Sequence, residues 1–308
     1  MKATRDWFGE ALVEVAERYD DVVVVNCDLG SATKTHGFKK SFPERFYECG
    51  IAEANSIGVA AGLAQEGYRP FVASFGHFLS GKYLEIFQSV GLNDSGVVLV
   101  GTHAGLAIGK DGPTQMGLRD LALMRTIHNM RILHPADGIE TRAMLYYIVE
   151  NRCPIYLRLC RQPQREIHDP GYRFRFGWPD VVREGERIVL FTMGGMVEVL
   201  LDALDELSEH GIDPTIVNVS SLPVDRAAIA RLARQHSYAF VVEDHFIKGG
   251  LADEIARIIL DMEEKVRLGV WGVADYGQAG SPADLYERYQ LNAHGVASRV
   301  REFLVTRN

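Results

Sequence analysis

Cysteine is scarce in this chain. Cys27, Cys49, Cys153 and Cys160 are the only four among 308 residues, and none forms a C-x-x-C pair. That excludes a disulfide framework or a zinc site and leaves buried, reduced thiols of a cytoplasmic protein as the expectation. Positive charge is also in deficit. The net charge is −8, so no broad basic surface is available for nucleic acid. No apolar run reaches the roughly 18 residues that a membrane span needs. The start, Met1 to Trp7, lacks the apolar core of a signal peptide. No G-x-G-x-x-G follows the first strand, and no P-loop, G-x-S-x-G elbow or histidine pair at helical spacing occurs. Ser281 after Gly280 and His245 after Asp244 are too unspecific to build a triad from.

What remains is an ordinary globular composition, 47% hydrophobic and 24% charged, long enough for two domains with cores. Thr4 to Arg18 reads as an amphipathic helix. Asp21 to Asn26 holds four consecutive valines, as in a strand buried on both faces of a parallel sheet. Strands are also expected at 69–75, 96–100, 130–134 and 154–159, with helices at 81–90, 118–125 and 138–150. Gln162 to about Gly185 is rich in proline, charge and aromatics with little periodicity, which reads as a linker. Strand–helix alternation then resumes. The expectation is an α/β fold of two consecutive, mostly parallel-sheet domains, 1–165 and 186–308, joined by 166–185.

The sequence is organised around Phe46 to Ala64. Aromatic, strand-like residues turn at Gly50 into a run of Ala, Gly and aliphatics at helical spacing. No charge occurs from Ala54 to Ala64, and a helix apolar on every side is expected to be buried. Glu53 stands at its mouth, either as a charge stabilised by the helix dipole or as a functional acid. Asp28 and Ser31 follow the first strand, where ligands bind in open α/β sheets, although a turn and helix cap would use the same residues. The long loop Gly101 to Gln115 carries His103, Lys110 and Asp111, and loops of this length usually work. Glu53 with Phe75 and Phe78 could hold a planar, basic heteroaromatic, the acid bonding a ring nitrogen and the phenyl faces stacking on it.

These pieces, in this order, resemble the C-terminal portion of transketolases, and most of all the separately encoded C-terminal subunit of split transketolases. Cys49 to Asn55 followed by Gly58 to Ala64 is similar to the family's cofactor glutamate helix. Ser74-Phe75 with Phe78 resembles its aromatic wall. Gly101 to Gly105, Asp111 to Thr114, Pro135 to Asp137, and Val242 to His245 with Gly249 to Leu251 match further blocks. The resemblance implies a pyrimidine-binding domain, then a transketolase C-terminal-like domain, and thiamine diphosphate as cofactor. Glu53 would bond N1′ of the aminopyrimidine, sharing a proton there, while Phe75 and Phe78 stack on the ring and Asp28 lies on the cofactor side. His103 and Arg161 would meet the phosphate or acid end of a ketose. Asp111 would contact a hydroxyl, with Ser31, Lys110 and Gln115 as further substrate-side residues.

The family's Gly-Asp-Gly metal motif is absent. The resemblance therefore implies that an N-terminal partner subunit holds Mg²⁺, Ca²⁺ or Mn²⁺ with the diphosphate, in an α2β2 assembly. Lys110, Gln115 and Arg119 depart from the family's usual acid, histidine and acid, which points to surface drift or to a non-standard or acidic substrate. Ketol transfer is the first expectation. A deoxyxylulose-phosphate synthase-like or 2-oxo acid dehydrogenase β-subunit-like reaction is the alternative, and a non-catalytic regulatory subunit is the alternative of another class.

Overall fold

The computed structural model describes residues 1–305. Two compact units are present. One is formed by Met1–Ala104 with Leu123–Phe174, the other by Gly105–Ala122 with the chain from Arg175 onward.

In the first unit six strands run parallel: β1 (Val22–Asn26), β2 (Phe46–Glu48), β3 (Arg69–Phe75), β4 (Val98–Thr102), β5 (Arg131–Leu133) and β6 (Ile155–Arg158). Their order is β5-β6-β4-β3-β1-β2. Every residue of β1, β3 and β4 is buried, as expected of parallel strands covered on both faces. The chain places β2 on one side of β1 and β3 on the other, so the order reverses there. Crevices for ligands open at such a reversal, beyond the carboxyl ends of the strands. The register lines those ends up: Asn26 opposes Glu48 and Ala73, Phe75 opposes Thr102, and Gly101 opposes Arg158.

Arg69 is a buried cation whose guanidinium bonds backbone carbonyls. Its guanidinium donates to Gly96 O (2.5 Å), Asn151 O (2.6 Å), Ile148 O (2.8 Å) and Cys153 O (3.3 Å). Two of these acceptors lie at the C-terminal end of helix Gly138–Glu150, where carbonyls lack helical donors. Burial lowers its pKa to about 10. The other end of that helix is capped by Asp137, whose Oδ1 accepts from Glu140 N and Oδ2 from Ile167 N and His168 N. The stretch read as a linker is thus pinned at its start.

The second unit has strands β7 (Asp180–Arg183), β8 (Ile188–Thr192), β9 (Thr215–Asn218), β10 (Tyr238–Phe246) and β11 (Arg267–Val273), in the order β11-β10-β8-β9-β7. All neighbours are parallel except β7, which runs antiparallel along the edge of β9. β7 lies inside the stretch expected to be patternless. Its two valines are half-buried or exposed, as an edge strand permits, so no alternation marked it.

Three further expectations are corrected. The helix Glu53–Gln65 buries only one side, Glu53, Ser56, Ile57, Ala60 and Ala61, while Asn55, Gly58 and Gly62 are exposed. Ala and Gly carry too little apolar area to demand burial all round. The 81–90 segment forms a short turn, Tyr83–Glu85, and a π-helix, Ile86–Gly91. Of the four free thiols only Cys27 is buried, and Cys49, Cys153 and Cys160 are partly exposed. Among the described residues no helix is long and apolar enough to cross a membrane.

Candidate functional site

At or just beyond the carboxyl ends of the first unit's strands stand Asp28, Ser31, Glu53, Phe75, Phe78, His103 and Arg161. Gly50, at φ +71°, turns the chain from β2 into the helix, and Glu53 is that helix's first residue. Glu48 braces the turn. Its carboxylate accepts from Asn26 Nδ2 (2.6 Å), Asp28 N (2.9 Å) and Gly50 N (3.1 Å). Partial burial works against its charge, but these bonds hold Glu48 below the usual carboxylate range. Asp28 itself is exposed, at φ +57°, just past β1.

Glu53 is 8% exposed and accepts a hydrogen bond at Oε1 from Ser74 Oγ (3.0 Å). Oε2 receives none from the described residues, so one oxygen is fixed and the other is available to a ligand. The carboxylate is felt at Cys27. Burial first, and then the Glu53 charge against an opposing hydrogen bond to Ser56, push that thiol up to about 12. Cys27 is therefore an inert, buried thiol near Glu53.

Phe75 and Phe78 stack with ring centroids 5.4 Å apart and planes 10° from parallel. Phe75 also lies 3.9 Å, centroid to centroid, from the His103 imidazole. An acid and two parallel phenyl faces suit an aromatic ring with a basic nitrogen, so the residues present fit an aminopyrimidine. Among the described residues no group of three His, Cys, Asp or Glu is placed to hold a metal ion.

His103 is buried, at φ +59°, and its tautomer follows from its neighbours. Thr102 Oγ1 donates to Ser74 O (3.3 Å) and so accepts from His103 Nδ1–H (2.9 Å). Nε2 is then an acceptor, and Arg5 Nη1 donates to it at 2.8 Å. Burial, and then the charges of Arg5, Arg161 and Lys34, lower the pKa to about 3. The imidazole is neutral, and the positive charge beside it belongs to Arg5. Arg5 also donates to Ala32 O, while its buried Nε makes no hydrogen bond.

Arg5 was missed in the sequence because it sits in the first turn of an amphipathic helix, where an arginine reads as solvated surface. Ser74 stands in the Ser74-Phe75 motif, but nothing local in the sequence distinguishes its hydroxyl. Arg161 is exposed, whereas Arg158 is buried with Nη1 against His134 Nε2 (3.0 Å), which leaves Arg161 as the surface cation of that strand end. Ser31 is exposed and bonds His36 Nδ1 (3.1 Å). Lys110, Asp111 and Gln115 belong to the second unit. Lys110 and Asp111 end a 3-10 turn, Leu106–Asp111, with both side chains exposed, and Gln115 lies half-buried beyond it.

Residues 1–166 match the family pattern described as the transketolase pyrimidine-binding domain, and residues 178–296 match the transketolase C-terminal domain. A Methanocaldococcus jannaschii protein described as a transketolase C-terminal section is 34% identical over 306 residues, covering 98% of this chain and 96% of its own. A 1-deoxy-D-xylulose-5-phosphate synthase of Chlorobium luteolum is 35% identical over 97% of this chain, which spans only 48% of that enzyme. A solved structure described as a split-gene transketolase, an inactive β4 tetramer, superposes with a TM-score of 0.91 at 35% identity and 98% coverage of both chains.

Proposed function

The chain belongs to the transketolase family, and from that premise we propose that it is the C-terminal subunit of a two-component transketolase. The observation that carries the reading is the buried Glu53 carboxylate, fixed at one oxygen by Ser74 and open at the other, with the stacked Phe75 and Phe78 following Ser74 in the chain. When bound, thiamine diphosphate supplies a carbon nucleophile and electron sink for moving a two-carbon ketol unit from a ketose to an aldose. Glu53 holds a proton at the ring nitrogen N1′, and Ser74 fixes its orientation. Phe75 and Phe78 stack on the pyrimidine and exclude water. Asp28 flanks the cofactor. Arg5 and Arg161, with Ser31, bind the phosphate or acid end of the sugar, and neutral His103 presents a hydrogen-bonding edge rather than a charge. By the family resemblance Lys110, Asp111 and Gln115 are further substrate-side residues.

The partner subunit holds the diphosphate and its Mg²⁺, and the assembly is α2β2. The split-gene relative's description as an inactive β4 tetramer supports a chain that self-associates and is idle alone. A second reading, decarboxylating condensation of a 2-oxo acid, is favoured by the 35% identity to the deoxyxylulose-phosphate synthase. The test is a donor scan on the chain co-purified with a diphosphate-domain subunit. Ketose phosphates should be consumed without release of CO₂, and Glu53→Gln should abolish most of that turnover. CO₂ release from pyruvate would move the assignment to the second reading. Full Mg²⁺-dependent turnover by this chain alone would refute the two-component assignment.

A further inference from the structure

At the end of β10 three consecutive polar residues, Glu243, Asp244 and His245, are buried or half-buried and heavily hydrogen-bonded, yet the proposed chemistry uses none of them. Each holds a different segment of the second unit. Glu243 accepts from Leu251 N (2.8 Å) and Ala252 N (3.3 Å), which fixes the strand end to the first turn of helix Leu251–Leu260. Asp244 accepts the Leu106 N–H at Oδ1 (3.0 Å) and Oδ2 (3.3 Å), where the segment Gly105–Ala122 begins. His245 donates from Nδ1 to Phe246 O (2.7 Å), so Nε2 is left to accept the Ala122 N–H (3.4 Å), where the same segment ends. Phe246 N adds a bond to Leu118 O (2.8 Å).

The Asp244 anchor is itself oriented. The Tyr286 hydroxyl, on helix Pro282–Arg288, donates to Oδ2 at 2.5 Å, and that helix packs against the Leu106–Asp111 turn. Gly105 records how closely backbone and carboxylate meet. Its φ is +69°, and a Cβ there would fall 1.8 Å from Asp244 Oδ2, so glycine alone allows the contact. A charge-assisted bond to a backbone N–H is among the stronger and more directional ones available.

We propose that Asp244, oriented by Tyr286 and seconded by His245, is a positioning residue that sets the loop bearing Lys110, Asp111 and Gln115. Asp244, Tyr286 and His245 thereby act on substrate selection without touching substrate themselves. The inference rests on the reading that this loop meets the sugar. A loop held at both ends by adjacent residues of one strand cannot drift at one end without breaking a bond at that strand. Misplacing a substrate contact by about 1 Å costs on the order of 10²-fold in rate.

The experiment has two readouts. The first is limited trypsin digestion of the full chain, because Lys110 and Arg119 are both exposed on the loop. Asp244→Ala should speed cleavage at these two sites by about 10-fold, since the loop opens locally. The second is steady-state kinetics of the complex with its partner subunit. Asp244→Ala should lower kcat/KM for a ketose phosphate on the order of 10²-fold while thiamine diphosphate affinity stays within about 2-fold. Asp244→Asn should recover part of the loss, and Tyr286→Phe should show a smaller loss of the same pattern. Unchanged cleavage in Asp244→Ala would overturn the anchor. So would a fall in cofactor affinity in step with kcat/KM. If Asp244→Ala does not fold, Tyr286→Phe, which removes a single hydroxyl, decides by the same readouts. If the wild-type complex turns over no ketose, the reading of the reaction fails, and the cleavage rates still decide whether Asp244 holds the loop.

Discussion

Arg5 Nη1 and His103 Nε2 stand 2.8 Å apart, and this contact divides the work of the crevice between them. The guanidinium carries the charge. Burial and the neighbouring cations keep the imidazole neutral, and Thr102 on its other side fixes the Nδ1–H tautomer. A cation whose buried Nε has no partner and a histidine that cannot compete for a proton are suited to receiving an anionic group.

Arg5→Ala should therefore raise KM for a phosphorylated donor by about 10- to 100-fold, the worth of one charge-assisted hydrogen bond. The value for an unphosphorylated ketose should change little. Parallel kinetics on the two donors check this, and an equal loss on both would remove Arg5 from the phosphate end.

His103 should leave a mark on acid stability. Its folded pKa, about 3, lies below the ordinary 6.5, so the unfolded chain takes up the proton first. The contribution is full above about pH 6.5 and is lost as pH falls toward about 3, at a slope of at most about 1.4 kcal/mol per pH unit. Urea melts of wild type and His103→Gln across that window should converge toward acid pH. Arg5→Ala removes one of the charges that lower the His103 pKa and should bring the imidazole titration back toward the ordinary range, read by NMR of the ring.

Ser74→Ala frees Glu53 to rotate and should lower turnover of the reconstituted enzyme about 10-fold, with Ser74→Thr intermediate. Cofactor titration alongside separates weaker binding from misdirected proton holding. Unaltered turnover would mean that packing alone orients the carboxylate.

Arg69→Met should destabilise the first unit by about 3 kcal/mol, because it strands buried carbonyls that Arg69 now satisfies. Arg69→Lys should cost less, since an ammonium keeps some of those bonds. The midpoint of urea unfolding reads both. The catalytic parameters of the folded fraction should stay put, because Arg69 touches none of the crevice residues described above.

The sequence by itself determined the class of fold and singled out Glu53 as the candidate acid. Four valines in a row demand a strand buried on both faces, and the pattern around Glu53 and Phe75 is specific because it is contiguous: a turn, a helix start and an aromatic pair each close within a few residues. It could not find Arg5, which is 98 positions from His103 and reads locally as helix surface. Nor could it say that Asp244 reaches Leu106 across 138 positions, or that the edge strand Asp180–Arg183 exists. Those depend on parallel register, which brings strand ends together irrespective of their distance along the chain, and on backbone N–H groups whose partners no side-chain pattern encodes. Tertiary structure alone decided which nitrogen of His103 holds the proton, because that is fixed by neighbours from three separate elements.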